Sequence, residues 1–153
     1  GHAVTSGLGD RGEVPLGRDN ELKDCLHHLP ARLSGALGCD WSVWADSAAG
    51  AAVSFVVGRG YGLGCGRETA LRVAEILRVP ALGYSAAELQ HGPRASITPA
   101  TPVLVLRQND EAATAIDDFV RDLGDTGGMA FTAGGAAGTW KTSWVGRTAL
   151  TES

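Results

Sequence analysis

A chain of 153 residues can form one domain that removes roughly 68–70% of its unfolded surface from water, so it needs no disulfide or metal staple. Thirteen Lys and Arg against seventeen Asp and Glu give a net charge of -4 with no basic cluster, which argues against a nucleic-acid partner. Cys25, Cys39 and Cys65 are odd in number and form no C-x-x-C pair, so no zinc site or disulfide framework is expected.

Three reduced thiols fit a cytoplasmic protein. No apolar run reaches about eighteen residues, and the first residues lack the basic-then-apolar layout of an export signal. No membrane partner is therefore expected.

Residues 1–19 are rich in glycine and polar side chains without periodicity and read as a flexible lead-in. From Asn20, Leu22, Leu26, Leu29, Leu33 and Leu37 recur at three- and four-residue steps. They predict a core-facing helix or helix pair, with a kink or restart at Pro30. Asp40 can cap a short helix over 41–49 that carries Trp41 and Trp44 as core anchors.

A strand over 52–57 (AAVSFV) then runs into the glycines at 58, 60, 62, 64 and 66, and a helix over 68–79 is stopped by Pro80. An extended piece over 81–84 precedes a polar stretch over 85–99. The run PVLVL at 102–106 has the continuous apolar character of a buried strand. A helix over 111–123 with Ala112, Ala115, Ile116, Phe119 and Leu123 inward, and a strand over 129–132, complete the pattern.

Alternating strands and helices predict an α/β fold: a three-layer α/β/α sandwich with a parallel sheet, as a single lobe. The lobe is placed at 20–133, and 134–153 reads as a flexible or atypical tail, in which Trp140 and Trp144 could clamp a helix turn.

The glycine run does not fit a dinucleotide fingerprint. From Gly58 the third required glycine falls on Leu63, from Gly60 on Cys65, and from Gly62 on Arg67; there is no P-loop either. A tight strand-to-helix turn is the plainer explanation, and no cofactor or metal is expected.

Glu68, Arg72 and Glu75, at offsets of four and seven, share one helix face, as solvated ion pairs commonly do. Their place beyond the carboxyl end of a strand, where open α/β sheets bind ligands, suggests chemistry as well. A carboxylate beside a cation can shuttle a proton between neighbouring carbons in aldose–ketose interconversion, and Glu75, deeper in the helix, is the better base. His91, ahead of Gly92-Pro93, can move a proton between a sugar's ring oxygen and its anomeric hydroxyl. His27 and His28 read as surface residues.

Taken together, VVGRGYGLGCGRETALRVAEIL at 56–77, SAAELQHGP at 85–93 and PVLVLRQND at 102–110 closely resemble the second sugar isomerase (SIS) lobe of glucosamine-6-phosphate synthase. They also resemble its glutaminase-free relatives, including SIS-type glucosamine-6-phosphate deaminases. The likeness extends over about two thirds of the chain, including the helix LHHLPARL.

By matching position, the resemblance implies that Glu75 is the isomerising base and His91 the ring-opening histidine. It likewise implies substrate contacts from Glu68, Arg72, Gly58, Arg59, Gly60 and Glu88. It further implies a small-molecule sugar phosphate, such as a hexosamine 6-phosphate, and a homodimer or companion SIS lobe, because the family's histidine reaches the adjacent subunit's site.

The chain departs from the family in three ways. Arg72 stands where lysine is usual, and a permanently charged guanidinium is no free substitute for an ammonium. Pro80 and Leu82 stand where the synthase-like pattern has His and Glu. The Ser/Thr-rich phosphate loop of the family's first lobe is absent, as are a last strand, helix and lysine-bearing tail. The expectation is a fragment, a truncated homologue or one part of a larger assembly, either an isomerase/deaminase lobe or a non-catalytic sugar-phosphate-binding or regulatory lobe.

Overall fold

The structure is a computed structural model that describes residues 16–134. The first fifteen residues of the expected lead-in, the glycine-rich run from 135 and the tail with Trp140 and Trp144 lie outside the described residues. A first helix, α1 (Leu16–Leu37), continues through Pro30 without the expected restart. It belongs to a unit of its own that ends at Leu37, and the α/β body begins at Gly38. Leu26, Leu29, Leu33 and Leu37 of α1 are 43–86% exposed, so the core-facing role expected for this stripe is not seen.

The body comprises α2 (Ser42–Ala49), β1 (Ser54–Gly58), α3 (Gly62–Leu77), β2 (Ala81–Ser85), α4 (Ala86–His91), a 3-10 turn (Pro93–Ser96), β3 (Pro102–Leu106), α5 (Ala113–Asp125) and β4 (Met129–Ala133). All strand pairs are parallel and the sheet order is β2-β1-β3-β4.

Strand side chains alternate between two covered faces. Phe55, Val57, Val103, Val105 and Ala130 pack with Ala86 and Leu89 of α4 and with Ile116, Phe119 and Leu123 of α5. Val56, Leu104 and Phe131 pack on the other face with Trp44 and Ala48 of α2 and Ala70 and Val73 of α3. This is the expected three-layer sandwich, and burial on both faces explains why β3 reads as an unbroken apolar run. Each fully buried Phe, Leu or Ile contributes roughly 1.5–3 kcal/mol. Trp44 is buried and Trp41 is partly buried against the same cluster, as expected of core anchors. Asp40 accepts a hydrogen bond from Ser42 N at 2.9 Å at the start of α2.

The glycine segment differs most from expectation. Gly60, at φ +55°, turns the chain, and the helix begins at Gly62, not at Glu68. Glycine is a poor helix former. Here packing overrides that cost: a Cβ on Gly58 would overlap the Gly62 carbonyl, and Gly62 and Gly66 are both buried. On β2, a Cβ at Gly83 would lie 2.6 Å from Arg67 Cα. The glycines thus let α3 lie close on β1 and β2. At its far end Arg78 takes the left-handed conformation (φ 57°) two residues before Pro80, which terminates the helix.

Candidate active site

The β2-β1-β3-β4 order makes the connection after β2 cross over β1 to reach β3, so the segments following β1 and β3 diverge. Such a switch point, at the carboxyl ends of the strands, is where open α/β sheets bind ligands. Arg59, Gly60 and Tyr61 form the turn after β1, and Tyr61 is 91% exposed. After β3, the Gln108 side chain reaches Gly62, where a Cβ would sit 3.2 Å from its Cδ and Oε1. Gly58 itself is buried in the packing of β1 against α3.

The charged stripe lies on α3 but not at this mouth. Because the helix starts at Gly62, Glu68 falls on its second turn and Glu75 on its fourth, about 20 Å along the axis from Gly62. That is more than one hexose phosphate spans, so Gly58, Arg59 and Gly60 do not converge with Glu75 within this body. Helical geometry sets Glu68, Arg72 and Glu75 opposite the buried row Gly62, Gly66, Ala70 and Val73. The stripe is therefore on the outward face, correcting the expectation that it faces the mouth of the sheet. Arg72 Nε donates to Glu68 Oε1 at 2.8 Å and Nη1 donates to Glu75 Oε2 at 2.9 Å. The Glu68 hydrogen bond and charge, followed by Glu75, raise the Arg72 pKa and keep it cationic. Leu71 and Ile76 flank the stripe at 50% and 74% exposure.

His91 ends α4 and is exposed, with Gly92 N donating back to Glu88 O at 3.1 Å. The start of α4 is fixed by a reciprocal cap: Ser85 Oγ accepts from Glu88 N at 3.2 Å, and Glu88 Oε2 accepts from Ser85 N at 2.8 Å. Glu88 Oε1 also meets Arg67 Nη2 at 3.4 Å, linking α4 to α3. The backbone and side-chain hydrogen bonds of Ser85, with a smaller share from Arg67, hold the Glu88 carboxyl below its ordinary range. Both oxygens of this expected substrate contact are thus engaged within the chain.

Glu75 and His91 stand on helices that pack on opposite faces of the sheet. No hydrogen bond or ion pair joins the two among the described residues.

Sequence reasoning missed three ties that hold this frame. The Ser85–Glu88 cap carries an S-x-x-E signature and was legible. The other two join residues distant in sequence and leave no local signal. Arg107 donates from Nε and Nη2 to both oxygens of Asp117, at 2.7 and 2.8 Å. Arg94 Nη2 donates to Asp122 O and Thr126 Oγ1, both at 2.9 Å. No helix among the described residues is long and apolar enough to cross a membrane, and no group of three His, Cys, Asp or Glu there could hold a metal ion.

The four-stranded all-parallel sheet, with helices packed on both faces, is the frame of an α/β domain. Residues 52–124 match the SIS domain family model, and the chain belongs to that family through this domain. It is 33% identical over 128 residues to the isomerizing glutamine–fructose-6-phosphate aminotransferase of Pseudomonas putida, a stretch covering 82% of this chain and 21% of that relative. This chain therefore spans about a fifth of the length of the curated relatives it matches.

Among solved structures, it resembles a proposed phosphosugar isomerase of Silicibacter pomeroyi at 29% identity and TM-score 0.71, covering 77% of this chain and 36% of that one. The C-terminal domain of the glucosamine-fructose-6-phosphate aminotransferase of Francisella tularensis shares the fold, with TM-score 0.72 at 23% identity over 78% of this chain and 34% of that one.

Proposed function

We propose that this chain is one lobe of a cytoplasmic sugar-phosphate aldose–ketose isomerase/deaminase acting on a hexosamine 6-phosphate, and that its site is completed in trans by a second copy or a companion SIS lobe. The observation that carries the reading is that Glu75 and His91 ride on opposite layers of the sandwich. On this reading each lobe contributes one of the two groups to a sugar held between two bodies. The outer face of α3 suits such covering, since Leu71 and Ile76 frame the charged row with exposed apolar surface.

In the assembled site His91 moves a proton between ring oxygen and anomeric hydroxyl, opening the sugar. Glu75 then takes a proton from one carbon and returns it to its neighbour through an enediol or enolamine. Glu68 and Arg72 line the same row and contact the substrate, while Gly58, Arg59 and Gly60 serve chiefly to seat α3 and Glu88 to seat α4.

The test is complementation in the full-length protein. Glu75→Gln and His91→Asn should each lower isomerisation by roughly 10²- to 10⁴-fold. Mixing the two variants should restore up to about a quarter of native activity, because half of randomly formed dimers carry one intact composite site. Near-native turnover by Glu75→Gln would remove its role as base.

A second reading is favoured by one observation: Arg72, in place of lysine, already holds both carboxylates. On that reading the lobe binds a sugar phosphate without turning it over. Calorimetry with glucosamine-6-phosphate and fructose-6-phosphate, paired with an ammonia-release assay, separates the two, since binding without turnover supports the regulatory lobe.

A further inference from the structure

We infer that Arg94 is the positioning residue for His91, a role that rests on the reading of His91 as the ring-opening group. The helix that ends in His91 has six residues, too few to hold a fixed geometry by its own hydrogen bonds. Its first turn is secured by the Ser85–Glu88 cap, but that lies six residues before the imidazole. Beyond His91 the chain turns through Gly92 (φ -121°, ψ -95°) and Pro93. Arg94 then takes hold of the carboxyl end of α5.

The grip suits its target. The last carbonyls of a helix lack intrahelical donors and carry the negative end of its dipole, so a guanidinium satisfies both needs. Arg94 Nη2 reaches Asp122 O and Thr126 Oγ1 at 2.9 Å each, and Thr126 Oγ1 in turn lies 3.1 Å from Asp122 O and 3.0 Å from Leu123 O. On the other side of His91, Gln90 Nε2 donates to Asp122 Oδ2 at 3.4 Å. His91 is thus bracketed by two side chains that hold the same turn of α5. That helix is itself anchored by Ile116, Phe119 and Leu123, each 1% exposed. Rigidity passes from the core through Arg94 to an exposed imidazole.

The test uses the full chain in its assembled form. Arg94→Ala should lower kcat on the order of 10-fold to 10²-fold while KM changes little, and Arg94→Lys should recover part of the loss. In a His91→Asn background, Arg94→Ala should cost nothing further; losses that simply multiply would overturn the inference. Carbon-edited NMR of the His91 ring provides an arm independent of turnover. The ring signals should shift and broaden in Arg94→Ala and return in Arg94→Lys, and a spectrum unchanged in Arg94→Ala would also overturn the inference. Should that variant fail to fold, Thr126→Val removes one acceptor and is expected to displace the same signals more weakly. Near-native turnover by His91→Asn would sink the catalytic reading alone, because the ring spectrum still decides whether Arg94 positions the imidazole.

Discussion

On its inner side α3 presents Gly62, Gly66, Ala70 and Val73, all buried, whereas on its outer side the Glu68, Arg72 and Glu75 side chains are each more than half exposed. The inner residues are small because the helix backbone lies almost in contact with β1 and β2. The outer residues make hydrogen bonds and ion pairs with one another. Stability therefore constrains the inner row tightly and the outer row hardly at all. A row so placed is free to meet the needs of a covering body such as the one proposed above, beside the exposed Leu71 and Ile76.

The sharpest way to break this contrast is at Gly83. An added methyl there would sit 2.6 Å from Arg67 Cα and 3.0 Å from its N, atoms that cannot swing aside. Gly83→Ala should cost about 1–3 kcal/mol, through displacement of α3 from the sheet, read as a lower urea midpoint. Glu75→Gln on the opposite face should leave that midpoint where it is. If the two variants unfold alike, the division of labour between the faces is wrong.

This contrast also marks where the sequence was readable. The run Pro102–Leu106 was bounded correctly because a strand buried on both faces has no polar positions to blur it. The period of α3 was visible too, with Ala70 and Val73 inside and Glu68, Arg72 and Glu75 together on one side. Its true start was hidden, since Gly62 and Gly66 oppose helix formation locally and are admitted only by contact with β1. The placement of Glu75 and His91 on opposite layers was also beyond reach, because it depends on which face of the sheet each helix returns to. The SIS motifs identified the family at 56–77, 85–93 and 102–110, but motif spacing does not say whether residues meet in one chain or between two.

A second, smaller effect sharpens the comparison by adding a charged pair that does support the fold. Arg107 is only 17% exposed in its side chain, and it binds both oxygens of Asp117 at the base of α5. Its hydrogen bonds hold the Asp117 carboxyl below its ordinary range against the opposing effect of burial. A carboxylate with a depressed folded-state pKa stabilises the fold above its unfolded value, near 3.9, and loses that contribution as pH falls through the lowered one. Glu88 shifts in the same direction. The stability of the native protein should thus decline in acid below about pH 4. Asp117→Asn should flatten that decline in a pH series of thermal midpoints, with a loss at neutral pH well below that of Gly83→Ala. A decline of unchanged steepness would assign the acid sensitivity to other carboxylates.

The smallest effect is expected from Arg72, despite its short bonds to Glu68 and Glu75. All three side chains are more than half exposed, and pairs of this kind gain little over their separate hydration while losing side-chain freedom. Arg72→Ala should leave the thermal midpoint unchanged at high salt and lower it barely, if at all, at low salt, where screening is weaker. Its consequence belongs to the covered state. Once a second body excludes water from the outer face, the same pair of carboxylates is left without its cation, and like charges in a drier setting repel more strongly. Arg72→Ala should accordingly weaken assembly in sedimentation measurements while sparing the fold of the single chain. A loss of folding stability comparable to that of Gly83→Ala would mean that the outer row supports this chain directly, and the case for a face reserved for a partner would fail with it.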